Sequence, residues 1–272
     1  MKKKLHKVFL IAGSEPLGSA GMQADIKAIT ACGGYAACAL TGIVDEDTTR
    51  VKSITPLPAD LVVSQTESFL SDIGAECIKT GVLPSIDIIR GVAAKLRDYP
   101  DIPKVIDPVL VDSNGVQLCP DENIEAYKEL LFPQATLITP NRYEAQVLLG
   151  VSRIGEREVR ALGEYGCSVI VKSLADGDGL MDVLYDRETD LVTCYRKERI
   201  DTHNVNGTGD SFSSAIATYI SKGLRLKDAV DKGEEFIDRA IRLGAEYEFG
   251  HGYGPVHPCY MDDHDLYERI YY

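Results

Sequence analysis

Residues 204–214 read NVNGTGDSFSS, and the run FSSAIATYI continues from Phe212 to Ile220. Two glycines, Gly207 and Gly209, bracket Thr208. A carboxylate, Asp210, follows where Phe212, Ala215, Ile216, Tyr219 and Ile220 begin a helical stripe. Glycines let successive amide N–H groups turn toward one point with no Cβ in the way, and a helix start adds the positive end of its dipole. The stretch therefore predicts an anion hole. A carboxylate beside a bound anion is repelled by it, unless its task is to take a proton from a hydroxyl attacking a phosphorus atom held there. An acid in the first helical turn also simply stabilises the dipole, and the stretch alone leaves both readings open.

Working outward, short apolar runs bounded by turn residues predict buried strands at 8–13, 35–44, 77–81, 104–111, 136–141 and 167–173. Between them, helical spacing marks 20–32, 58–71, 85–97, 121–131 and 142–149. This alternation predicts an α/β fold, a three-layer α-β-α sandwich around a mainly parallel sheet. After 173 the texture changes: 181–186 and 191–196 predict a β-hairpin, and 208–222 and 226–244 two long helices. With no linker or internal repeat, residues 1–258 are expected to form one domain, followed by an aromatic, acidic tail at 259–272.

Forty-two acidic and 29 basic side chains give a net charge of −13, which argues against nucleic acid and anionic lipid as partners. No run approaches about 18 apolar residues, so no membrane span is expected. Seven scattered cysteines without CxxC spacing argue against a disulfide framework or zinc site and suit a cytoplasmic protein.

Seven stretches occur in a fixed order: IAGSEPLGSAGMQADIK (11–27), ALTGIVDEDT (39–48), KTGVLP (79–84), VIDPVL (105–110), TPNRYEA (139–145), VIVKS (169–173) and NGTGDSFSSAIA (206–217). Together they resemble the ribokinase-like superfamily, and within it the vitamin-kinase branch of hydroxymethylpyrimidine/phosphomethylpyrimidine kinases and pyridoxal kinases. The resemblance spans residues 8 to 257. It implies a ribokinase-like fold with a small lid, part of it at 36–45, and an ATP- and Mg²⁺-dependent kinase acting on the hydroxymethyl group of a heteroaromatic ring. Asp210 would be the catalytic base and Gly207, Thr208 and Gly209 the anion hole. Asn141 and Lys172, with Gly207 and Gly209, would meet ATP, and Asp107 and Glu144 the metal region. Gly13, Ser14, Gly21, Asp25, Val44, Glu46 and Val82 would form the ring pocket. A homodimer is expected, as lid strands of such folds are often buried between two chains.

The residues themselves leave alternatives. Asn141 and Glu144 stand at capping-box distance on the helix 142–149. Asp107 precedes Pro108 and fits a turn; Lys172 at a strand end fits a solvated side chain. Val44 and Val82 fit plain core packing. Asp25, costly to bury unpaired, must bind ligand or face solvent.

Three departures from the branch bear on the substrate and nucleotide. Glu46 and Asp47 stand where the pyrimidine kinases usually carry glutamine and asparagine, and Asp210 where they commonly carry cysteine, which favours pyridoxal or pyridoxine over hydroxymethylpyrimidine. In KSLADGDG (172–179) the lysine lacks the two glycines that more often follow it, and Gly177 and Gly179 would take over the flexible role. A sugar or nucleoside kinase accounts for GTGD but poorly for GSAGMQAD. A non-catalytic vitamin-binding protein would have little use for Asp210, Asn141 and Glu144.

Overall fold

The run KVFLIAGS forms β1 (Lys7–Ser14), whose alternating side chains feed two different cores. Phe9 and Ile11 pack into one, Val8 and Leu10 into the other, as expected of a strand covered on both faces. The computed structural model describes residues 4–111, 115 and 118–259, so the tail anticipated at 259–272 lies, apart from Cys259, outside the described residues.

After β1 the chain forms α1 (Gly21–Ala31), β2 (Tyr35–Asp47), β3 (Arg50–Pro56), α2 (Ala59–Asp72) and β4 (Cys77–Thr80). It continues through α3 (Ile86–Leu96), β5 (Lys104–Ile106), α4 (Asp121–Ala126, widening into a π turn to Leu131), β6 (Leu137–Ile138), α5 (Arg142–Leu149) and α6 (Glu156–Leu162). β7 (Ser168–Asp176), β8 (Gly179–Asp186), β9 (Leu191–Lys197), α7 (Thr208–Ser221) and α8 (Leu226–Gly244) follow. The strands form one sheet in the order β3-β2-β1-β4-β5-β6-β7-β8-β9. From β2 to β7 neighbours pair in parallel; β3, β8 and β9 add antiparallel edges.

Helices α2 to α6 cover the face carrying Phe9, Ile78, Ile106 and Val171. The opposite face, with Leu10, Val105 and Ile170, is covered by α1, α7 and α8 through Ile29, Phe212, Ile216 and Ile237. The expected three-layer architecture is therefore present, with the N-terminus of α7 brought to the carboxyl ends of β4, β5 and β7, where ligands gather in parallel sheets.

Two elements escaped the sequence reading. β3 is exposed along its length except at half-buried Ile54, so it has no buried face to write an apolar pattern. Its pairing with β2, such as Val44 opposite Ile54, is carried by backbone. Helix α6, EREVRAL, buries only Val159 and Leu162. The strand anticipated over 104–111 stops at Ile106, because Pro108 has no N–H to give a ladder and Val109 turns to φ 45°. The lid stretch 36–45 belongs to β2: its first part pairs with β1, and from Gly42 onward it forms a hairpin with β3. All seven cysteines are free thiols, and no helix among the described residues is long and apolar enough to cross a membrane.

Candidate active site

Strands β4 and β7, the segment after β5, and helices α1 and α7 supply the charged groups. Lys79 sits in β4 within the otherwise apolar and hydroxyl run CIKT and is fully buried, a position an ammonium tolerates only with partners. Its Nζ lies 2.7 Å from Asp25 Oδ1 on α1 and 3.4 Å from Asp210 Oδ1 on α7. Asp25 is itself fully buried and also accepts from Ser214 Oγ at 2.7 Å. The choice the sequence offered, ligand or solvent, omitted this third outcome, an internal ion pair. Beside it, Lys172 Nζ lies 3.1 Å from Asp107 Oδ1, and Ser213 Oγ lies 3.1 Å from Asp107 Oδ2. Two lysine–aspartate pairs thus join the sheet to the first turns of α7.

The glycine turn fits this frame through close backbone contact. Gly207 caps α7 at φ 73°, and a Cβ there would run into the Ser19 carbonyl oxygen. Only glycine fits. Thr208 N–H bonds back to Val205 O, and the Thr208 hydroxyl to the same oxygen, so the Thr208 amide expected in the anion hole is already engaged; Ser211 N–H reaches Gly207 O. Between them, the amides of Gly209 and Asp210 have no acceptor among the described residues. They are the unpaired donors every helix start presents. Lys172 Nζ lies 3.0 Å from where a Cβ on Gly209 would stand, so an ammonium borders the same space.

The loop opposite this turn is organised by Glu15, buried, whose carboxylate accepts the amides of Leu17, Ser19 and Ala20. Ser19 Oγ in turn accepts Asn206 Nδ2 at 2.8 Å, locking loop to turn. Gly13 sits so near Val82 that an added Cβ would be 2.6 Å from its Cγ1; Gly21 abuts the Gly13 carbonyl at 2.7 Å in the same sense. Ser14 Oγ accepts Gln23 Nε2 at 2.6 Å. Gly13, Ser14, Gly21 and Val82 are therefore gathered in one place. Val44 lies on the β2–β3 hairpin, half-buried opposite Ile54.

Asn141 and Glu144 form the capping box their spacing announced: Asn141 Oδ1 accepts Glu144 N–H at 2.9 Å and Glu144 Oε2 accepts Asn141 N–H at 2.7 Å. Glu144 Oε1 additionally accepts Leu110 N–H at 2.8 Å, and Asn141 Nδ2 donates to Val111 O at 2.9 Å. The pair thus straps the segment after Asp107 to α5. A second strap runs behind the glycine turn. Asn206 N–H donates to Gly254 O at 2.9 Å, Val256 N–H to Asn206 O at 3.2 Å, and Tyr253 N–H to Thr48 O at 2.8 Å at the hairpin tip.

Burial raises the Asp210 carboxyl above the ordinary carboxylate range, against the pull of Lys79 and with a push from Asp107. Its side chain is nevertheless 19% exposed, so solvent reaches it. Burial would also raise Asp107, but Lys172 and Lys79 overcome this and hold it low. Burial lowers the Lys79 ammonium less than Asp25, Asp210 and Asp107 raise it, so it stays charged. Glu46 is pushed up to about 7 by burial and by the charges of Glu15, Asp210 and Asp47. Sequence reasoning missed Lys79, Glu15, Ser213 and Ser214. A lysine inside a buried strand run was the available signal.

The family described as phosphomethylpyrimidine kinase matches residues 15–257. The chain belongs to this family. It is 36% identical over 264 residues to the hydroxymethylpyrimidine/phosphomethylpyrimidine kinase of Mycobacterium tuberculosis, covering 93% of this chain and 94% of that one. It is 34% identical over 248 residues to the pyridoxine kinase of Bacillus subtilis, covering 88% and 91% respectively. The structure of the Staphylococcus aureus pyridoxal kinase in complex with AMP-PCP and pyridoxal superposes with a TM-score of 0.82 at 31% identity, over 98% of this chain and 96% of that one. The fold is ribokinase-like and the chain is a vitamin kinase; relatives of both names at similar identity leave the ring unassigned.

Replacing Gly207 by alanine is expected to combine a left-handed strain of about 1–2 kcal/mol with displacement of the Ser19 loop, abolishing turnover. Gly150→Ala, at φ 68° with open space around it, should carry the strain alone and keep turnover; melting curves and rates on both variants check this. Were Asp210 to serve as the base that the resemblance implies, kcat/KM should fall with decreasing pH through its raised pKa, on a limb above the usual carboxylate range. Lys79 opposes that rise, and in Lys79→Met the limb should move to still higher pH, with stability lower by about 3–5 kcal/mol for breaking a buried pair.

Proposed function

We propose that the chain transfers the γ-phosphoryl group of ATP to the hydroxymethyl group of pyridoxal, pyridoxine or pyridoxamine. One observation carries the reading: a solvent-reachable carboxylate, Asp210, with its proton affinity raised, stands at a helix start whose Gly209 and Asp210 amides have no acceptor among the described residues. Asp210 takes the proton of the ring's hydroxymethyl group. The two amides and the dipole of α7 hold the transferring phosphoryl, and Lys172 contacts the phosphate chain from the other side. Lys79 keeps Asp210 oriented and its neighbour Asp25 neutralised. The S. aureus relative in complex with AMP-PCP supports ATP as donor.

Mg²⁺ suits the donor set. It asks for one or two carboxylates, the rest being phosphate and water, and Asp107 stands at the phosphate end with Glu144 behind it, able to act through water. No group of three His, Cys, Asp or Glu forms a closed cage among the described residues. When bound, the ion neutralises charge developing on the phosphate oxygens.

The pyridine ring is favoured by Glu46. It stands where the pyrimidine kinases more often carry glutamine, as Asp210 stands where they more often carry cysteine, and burial with the charges of Glu15, Asp210 and Asp47 raises its carboxyl. The aminopyrimidine reading rests on the M. tuberculosis relative. Release of ADP, measured with pyridoxal, pyridoxine, pyridoxamine and hydroxymethylpyrimidine, should give the higher kcat/KM with the pyridines. A preference for the pyrimidine would overturn the ring assignment, and no ADP with any of them would overturn the kinase reading. Asp210→Ala should lower kcat by about 10²–10⁴ with ATP affinity nearly unchanged. The exposed Ile43 and Val51 of the β2–β3 hairpin suit contact with a second copy. Sedimentation should then show a dimer, and a monomer for Ile43→Glu/Val51→Glu.

A further inference from the structure

β7 carries an irregularity that the mechanism above leaves unexplained. Its register against β8 slips between Val171 and Leu174. At this bulge Ser173 holds φ 61°, in the left-handed region that non-glycine residues seldom enter. It is also the first of the positions where the resembling enzymes more often carry glycine after the lysine. Something must hold a serine in a glycine's conformation.

The neighbouring strand supplies it. Asp182 on β8 is 4% exposed, and its Oδ1 accepts the Ser173 N–H at 2.7 Å. Its Oδ2 lies 2.8 Å from Lys197 Nζ on β9, which balances the charge; Lys197 is also paired with Glu234 on α8. The residue immediately before the bulge is Lys172. Its own N–H donates to Pro140 O at 3.0 Å, and its Nζ reaches Asp107 and the space beside Gly209. A bulge is a device for aiming a side chain, and returning this strand to regular pairing would shift the register at Lys172. The Lys172 peptide is thus pinned on one side by Pro140 and on the other, through Ser173, by Asp182.

We propose that Asp182 is a positioning residue for phosphoryl transfer: its carboxylate does what a glycine would otherwise do, holding Ser173 in the left-handed turn that directs Lys172 at the phosphates. This rests on reading Lys172 as a phosphate contact. Kinetics with ATP varied test it. Asp182→Ala should lower kcat/KM for ATP by about 10- to 100-fold, the scale of a misplaced contact group, with the KM for the ring alcohol unchanged. Asp182→Asn keeps the Oδ1 acceptor and should retain most of the activity. Ser173→Gly should be active alone, and in Ser173→Gly/Asp182→Ala it should restore most of what Asp182→Ala loses, since glycine adopts the turn unaided. An Asp182 serving only to pair Lys197 would show no such rescue, and that result would overturn the proposal. Should Asp182→Ala fail to fold, Asp182→Ala/Lys197→Met removes the stranded ammonium and is compared with the same pair in the Ser173→Gly background. Lys172→Met separates the two failures: loss there with full activity in Asp182→Ala overturns the positioning role alone, and full activity in both overturns the phosphate reading beneath it.

Discussion

A buried ammonium organises the carboxyl end of this sheet. Lys79 has no exposed surface and two carboxylate neighbours, one on each of the two helices that flank its strand. Its burial would be prohibitive without them, and theirs without it. The result is that α1 and α7 are registered against β4 by charge as well as by apolar packing. The Lys172–Asp107–Ser213 contact repeats the arrangement between β7, β5 and α7. Together they leave Asp210 at the helix start with the longer of the two Lys79 contacts, 3.4 Å against 2.7 Å for Asp25.

The division of roles in the proposed mechanism follows the sheet. Groups assigned to phosphate and metal come from the segment after β5, the start of α5, β7 and the turn before α7, while those assigned to the ring come from the loop after β1, α1, β2 and the segment after β4. Relatives with two different ring specificities in their names fit such a layout, since the phosphoryl half is common to both. The charge of Glu46 and its neighbours belongs to the other half.

Much of this was legible in the sequence because burial leaves a pattern. Strands covered on both faces, such as β1 and β7, appear as continuous apolar runs, and long helices such as α7 and α8 as stripes. β3 was invisible because backbone pairing to β2 holds it and its side chains face water. The glycine turn was legible as a place for an anion; that it depends on the Ser19 carbonyl, nearly two hundred residues away, was not. Pairings of that kind connect positions whose individual residue types are unremarked. The motif KTG gives Lys79 no visible task, and nothing in the sequence around Asp25 on α1 points to a lysine of β4. Asn141 and Glu144 show the reverse case, in which local spacing alone foretold the hydrogen bonds of a capping box.

The backbone bonds that run from Thr48 through Tyr253 and Gly254 to Asn206 tether the hairpin tip to the glycine turn. A flap so anchored is not a free door. Any swing of the hairpin either severs the Thr48 anchor or pulls on the cord that backs the helix start, so the hairpin and the glycine turn shift as one.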